Sequence, residues 1–311
     1  MILEVFYRNQ WVDTYSGELK ALNPDPAPSH PRKKVLALGD SFTAATNNWV
    51  DLLRKRHPDW HFLNSALPGT TVYHANLVLG RRLADFKPDW VVYQVYVGND
   101  LFDLRYPGAW GRVGIFRSLY WSVANRFRSL AWLNYALGKF KRSAALPDMV
   151  PEKSNEGAFD PKKYSPRDKL YLEAEPRLIV GQVRPEDGRW HDMHDYMEIL
   201  DELVLRSQAA GAKVMIVVVP HCAQVSEVYA DRMADIGAEG MENPVIQELD
   251  YPFFSWVKEM EVKGAKVVNL LPALRELELR GHPAYYLHDT HLSDSGQAVL
   301  ARVVEEVLVG D

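Results

Sequence analysis

The sequence predicts an α/β fold: a five-stranded parallel sheet with helices on both faces, a three-layer α/β/α sandwich. Three observations predict it. Short apolar runs rich in Val, Ile, Leu and aromatics recur along the chain, each bounded by Gly, Pro or Asn, as expected of strands buried on both faces. Stretches with helical spacing of apolar residues lie between them, and strands alternating with helices mark doubly wound folds. Apolar residues make up 47% and charged residues 25% of the 311 positions, a balance that buries a full core.

Residues 1–33 read as an arm or linker. Their end, Asn23-Pro24-Asp25-Pro26-Ala27-Pro28-Ser29-His30-Pro31, is stiff and proline-rich. Residues 34–311 read as the domain. Its five expected strands are Val35–Leu38, His61–Leu63, Trp90–Val97, Lys213–Val219 and Ala265–Leu270. Trp49, Leu52, Leu53 and Arg56 share one helical face; Ala75, Leu79, Leu83 and Phe86 share a second; Met193, Tyr196, Leu200 and Leu203 share a third. A last helix is expected to start near Ser293 and to carry Val299, Leu300, Val303 and Val304. The connection between the third and fourth strands, about residues 101–192, is far longer than a compact α/β connection needs. It reads as a long insert, with an aromatic, basic stretch from Phe116 to Arg142. A helix packed on the sheet edge is the plain reading of that stretch; a lid over the site and a membrane-surface helix are the others.

Net charge is −5, so no basic field invites nucleic acid. The single cysteine, Cys222, excludes an internal disulfide and a four-cysteine zinc site. No run of about 18 apolar residues spans a membrane. The opening residues Met1 to Arg8 are too short and polar for a signal peptide. The default expectation is therefore cytoplasmic, with export or anchoring the alternative if a leader has been removed. No glycine motif cradles a phosphate, and no cofactor is expected.

Gly39-Asp40-Ser41-Phe42-Thr43 follows the first strand and precedes a helix. In an open α/β sheet, ligands bind beyond the carboxyl ends of the strands. A serine there meets substrate, and a backbone N–H near a helix start favours a developing oxyanion. Taken alone, Gly-Asp-Ser is also an ordinary turn. After the second strand comes Gly69, and after the third Gly98-Asn99-Asp100. In the strand order 2-1-3-4-5, Ser41, Gly69 and Asn99 end adjacent strands, so their loops converge. Two backbone N–H groups and one amide would then surround one oxygen, the donor set of a tetrahedral acyl intermediate. Asn99 as a strand cap is the plainer reading. Finally, His288-Asp289-Thr290-His291 precedes the last helix. A serine hydroxyl needs an imidazole to take its proton, and the imidazole needs an acid to fix its tautomer. His291 and Asp289 can supply both.

These blocks, Gly39-Asp40-Ser41, Gly69, Gly98-Asn99-Asp100 and Asp289-Thr290-His291, resemble blocks I, II, III and V of the SGNH/GDSL hydrolase superfamily over about residues 34–308, with the insert unmatched. The resemblance implies a flavodoxin-like sheet and ester hydrolysis through an acyl-serine, without metal or organic cofactor. By motif position it implies Ser41 as nucleophile, Asp289 and His291 as its triad partners, and Ser41, Gly69 and Asn99 as the oxyanion hole. Their loop neighbours Asp40, Thr70, Asp100 and His288 are candidate substrate-binding residues. Three departures stand out. Phe42 replaces the usual Leu. Val97 occupies a position usually held by Gly. Asp289 lies two residues before the histidine, where the family has its acid at three, here His288. The Asp-Thr-His pattern is also similar to that of SGNH-like sugar O-acetyltransferases of the alginate type, where the pair precedes the serine.

Two rival features compete. His191-Asp192-Met193-His194-Asp195 could hold zinc on a helix or touch substrate, though Asp is also favoured at a helix start. Cys222 reads as a small core or loop residue. The expected function is hydrolysis of an acyl ester of a small molecule or carbohydrate. Transfer of the acyl group to a sugar or other hydroxyl is the second reading, and a non-catalytic binding protein on the same scaffold the third.

Overall fold

The computed structural model describes residues 22–45, 47–105, 153–186 and 188–310. The aromatic, basic stretch of the insert lies outside them. The chain divides into two units, Met1–Pro26 with Pro107–Val150, and Ala27–Tyr106 with Pro151–Asp311. The sheet and the candidate site lie in the second.

Five parallel strands form one sheet in the order β2-β1-β3-β4-β5. They are β1 (Lys33–Leu38), β2 (Trp60–Asn64), β3 (Trp90–Tyr96), β4 (Lys213–Val219) and β5 (Lys266–Asn269). All five expected strands are present within two residues at each end. Register runs Val35 opposite Phe62, Leu36 opposite Val91, Tyr93 opposite Ile216 and Val217 opposite Val268. The central β3 is buried at all seven positions. The fifth strand differs from expectation: Lys266 is exposed and Val267, Val268 and Asn269 are only half-buried. It is an edge strand, and an edge has a neighbour on one side only. The other edge, β2, alternates buried and half-buried residues for the same reason.

The helices are α1 (Ser41–Ala44), α2 (Trp49–Arg56), α3 (Val72–Phe86), α4 (Asp100–Arg105), α5 (Pro166–Ala174), α6 (Leu178–Val183), α7 (Trp190–Ala209), α8 (Cys222–Val225), α9 (Glu227–Asp235), α10 (Pro252–Lys258), α11 (Leu271–Leu279) and α12 (Asp294–Gly310). α2 packs on α12, and α3 on α7. α3 and α7 bury the faces their sequence predicts, Ala75, Leu79 and Leu83, then Met193, Tyr196, Leu200 and Leu203; in α2 Trp49 and Leu53 are buried, Leu52 is half-buried and Arg56 is exposed. The ends are set by capping chemistry. Asn48 accepts the Val50 and Asp51 N–H groups at the start of α2, and Ser293 accepts the Gly296 N–H at the start of α12. Two ties hold α12 to the start of the chain's domain. Gln297 accepts the Trp49 N–H at 3.0 Å and donates to the Phe42 carbonyl at 2.9 Å.

Candidate active site

β1 ends at Leu38, and Gly39 turns the chain into α1. Gly39 sits at φ +154°, and a Cβ there would lie 2.6 Å from Gln94 Oε1 and 2.9 Å from Thr43 Oγ1, so only glycine fits. Asp40 then caps α1: its Oδ1 accepts the Phe42 N–H at 3.0 Å. This fixes Ser41 as the first residue of a one-turn helix. The Asp-Thr-His loop returns between Leu287 and α12. Tyr286 N–H donates to the His291 carbonyl, which closes the loop on itself.

His291 Nε2 lies 2.7 Å from Ser41 Oγ, and His291 Nδ1 lies 2.7 Å from Asp289 Oδ1. The same oxygen of Asp289 accepts the His291 N–H at 3.2 Å. An ionised carboxylate only accepts, so Nδ1 carries the proton and Nε2 is left to accept from the serine hydroxyl. Burial alone would lower the pKa of His291. The hydrogen bond and charge of Asp289, with the charges of Asp168 and Asp40, outweigh it and raise it above the ordinary value. The imidazole is therefore a stronger base than in water. Phe42 packs on it, with ring centroids 4.9 Å apart. The departure from the usual leucine thus places an aromatic ring against the His291 imidazole.

Gly69 stands at φ +69°, and a Cβ there would lie 3.4 Å from both terminal nitrogens of Arg167. Asn99 leads into α4. Its Nδ2 donates to Asp103 Oδ2 at 2.9 Å, and Arg167 Nη2 reaches the same oxygen at 3.5 Å. Gly69 and Asn99 thus border on one guanidinium. Val97, at the position where the family has glycine, donates its N–H to the Val219 carbonyl and prolongs the β3–β4 ladder by a residue.

The four candidate substrate-binding residues each have partners within the protein. Asp40 is buried beneath the serine as the α1 cap; burial raises its pKa against the Phe42 N–H and the charges of His291 and Arg167. Asp100 Oδ2 accepts the Tyr96 N–H at 3.1 Å and the Tyr196 hydroxyl at 3.0 Å. Thr70 Oγ1 donates to the Leu67 carbonyl. His288 Nε2 accepts the Asp160 N–H at 2.9 Å, and its ring stacks on Phe159. All four are buried.

Four neighbours of the site were not visible in the sequence. Asp168 Oδ2 accepts the Thr290 hydroxyl at 3.1 Å and so holds the loop of the base. Tyr171 donates to Asp103 Oδ1 at 3.1 Å and accepts from Arg167 Nε at 2.8 Å. Burial raises the pKa of Asp103 to about 6, against the pull of Arg167. Arg167, Asp168 and Tyr171 all belong to α5, inside the insert. The only available signals were the four-residue spacings Asn99–Asp103 and Arg167–Tyr171, which occur in any polar helix.

His191 and His194 are exposed, and Asp192 is paired with Arg189 at 3.3 Å in the first turn of α7. No group of three His, Cys, Asp or Glu side chains that could hold a metal occurs among the described residues. Cys222 is buried, and burial pushes its thiol well above the ordinary range. Among the described residues no helix is long and apolar enough to cross a membrane.

Comparison with known proteins gives one family match. Residues 182–310 fit a family described as "SGNH hydrolase-like domain, acetyltransferase AlgX". That range holds Asp289 and His291 but not Ser41, Gly69 or Asn99. No curated protein matches the chain. Among solved structures, a catalytic mutant of Axe2, an acetylxylan esterase from Geobacillus stearothermophilus, shares 14% identity over 89% of this chain and 94% of its own, with a TM-score of 0.46. The acetyl xylan esterase AlAXEase shares 12% over 88% and 98%, at 0.45. TesA shares 16% over 89% and 98%, at 0.42. At those scores the roles of individual residues rest on this chain's own geometry. Residues 182–310 are thus similar to an SGNH hydrolase-like domain, in keeping with the resemblance that the sequence blocks carry.

Proposed function

We propose that the chain is a serine-dependent acyl-ester enzyme that forms an acyl-Ser41 intermediate and hydrolyses it. One observation carries the reading: the continuous line from Ser41 Oγ through His291 to Asp289, both links 2.7 Å long. As Oγ attacks the ester carbonyl, its proton passes to His291 Nε2. The Asp289 carboxylate, at Nδ1, stabilises the imidazolium that forms. The carbonyl oxygen becomes an oxyanion, and the N–H groups of Ser41 and Gly69 with the Asn99 amide are the donors proposed to hold it. His291 then protonates the departing alkoxide, which leaves as the alcohol. Water repeats the sequence, and the carboxylic acid departs.

The substrate proposed is an O-acyl ester of a small molecule or carbohydrate. The acetyltransferase description of the matched family supports a second reading. A sugar hydroxyl in place of water would resolve the same acyl-Ser41, with no additional residue. Hydrolysis of p-nitrophenyl acetate, with and without sugar acceptors, separates the two by product. The nucleophile is tested by a fluorophosphonate probe, which labels a serine only when a base activates it. Wild type should label, and Ser41→Ala should not, with an unchanged circular dichroism spectrum. Equal labelling of the variant would remove Ser41 from the role.

A further inference from the structure

Asn99 is useful as an oxyanion donor only if its amide is turned the right way. An amide has an oxygen end and a nitrogen end of nearly the same shape, and a 180° flip exchanges them. With the oxygen facing a developing oxyanion, the residue would repel what it should hold. Something must therefore set the flip. Asn99 Oδ1 is buried and has no hydrogen-bond partner among the described residues, so that end does not set it. The Nδ2 end meets Asp103 Oδ2 at 2.9 Å. A carboxylate accepts and does not donate, so it selects the nitrogen and leaves the second N–H of Nδ2 for another acceptor.

Asp103 is itself held. It lies four residues beyond Asn99 and donates its N–H to the Asn99 carbonyl, so α4 sets the spacing between the two side chains. Its other oxygen, Oδ1, accepts from Tyr171 at 3.1 Å, while Arg167 Nη2 lies 3.5 Å from Oδ2, the oxygen that Asn99 meets. Asp103 is 3% exposed. Burying a carboxyl costs free energy unless its partners compensate. Here the partners come from α5, an element of the insert.

We propose that Asp103 is a positioning residue which, anchored by Tyr171, fixes the amide of Asn99 with its nitrogen toward the reacting oxygen. This rests on the role of Asn99 in the function proposed above. The consequence is that the insert takes part in the chemistry at one remove: α5 holds Asp103, and Asp103 holds the donor.

The test is a double-mutant cycle on p-nitrophenyl acetate hydrolysis, with kcat and KM measured separately. Asn99→Ala should lose about 10²–10³ in kcat, the usual cost of one oxyanion donor. Asp103→Asn is nearly isosteric but offers an amide that can donate or accept, so it no longer selects the flip. It should lose roughly ten- to hundredfold in kcat with KM within about twofold, short of the loss of the donor itself. In the Asn99→Ala background the same change should cost under about twofold, because nothing is left to position. Tyr171→Phe supplies a second variant in which the carboxylate remains; its smaller loss should vanish in that background too. Full, additive losses in both backgrounds overturn the positioning role while leaving Asn99 as donor. A normal kcat in Asp103→Asn also overturns it. A normal kcat in Asn99→Ala instead removes the donor role itself, and the inference falls with it.

Discussion

At the residue scale the site is a competition for one imidazole. Two side chains in the loop could have served His291, and the structure separates them. Asp289 meets Nδ1 at 2.7 Å, whereas His288 turns its Nε2 to the Asp160 N–H. Asp289→Asn should therefore cut kcat by up to about 10⁴, the loss seen when a triad acid becomes an amide and the wrong tautomer is selected. His288→Ala should lose under about tenfold in kcat. It should instead lower stability by about 1 kcal/mol, because the half-buried Asp160 N–H loses its acceptor. Measuring kcat and the urea midpoint for both variants checks the separation. An inactive, fully stable His288 variant would exchange the two roles.

At the element scale, legibility follows periodicity. The strands were visible because each is a run of β-branched and aromatic residues closed by a breaker. The helices α2, α3, α7 and α12 were visible because each buries one stripe. Ser41 stood out because it follows a strand end in a short motif, and Asp289 and His291 because they form a short polar motif just before the last helix. α5 was invisible: Leu172 is its single buried residue, so the helix has no stripe to detect, and its three site contacts are polar and distant in sequence. For Asp40, Thr70, Asp100 and His288, adjacency in a motif does not tell which way a side chain faces or what it meets. The same lesson applies at the start of α3, where His74 was not singled out. Its Nδ1 accepts the Thr71 N–H at 3.3 Å, and burial lowers its pKa to about 4. An unfolded histidine titrates near 6.5. The unfolded chain thus binds the proton first, so this contribution to stability is whole above about pH 6.5 and is lost as pH falls toward about 4. Glutamine at that position keeps an acceptor for the helix start without a charge to gain. His74→Gln should therefore show a shallower loss of stability between about pH 6.5 and 4, read as urea midpoints across that range. An unchanged slope would mean that His74 does not contribute to it.

At the scale of the whole molecule, the two halves of the site come from opposite ends of the domain. Gln297 joins them: it serves the Trp49 N–H at the start of α2 and the Phe42 carbonyl beside Ser41. Gln297→Met keeps the volume and removes both bonds, leaving two buried backbone groups unpaired. It should cost on the order of 3 kcal/mol, measured by urea denaturation; a loss below about 0.5 kcal/mol would show that other groups take over. Ser41 and His291 are 250 residues apart in sequence, and closing a loop of that length is entropically costly until long-range contacts repay it. Synthesis delivers Ser41 well before His291. Until His291 emerges, the nascent chain carries a serine with no base beside it. A fragment cut before Asp289 therefore holds the proposed nucleophile without the two side chains that line up with it.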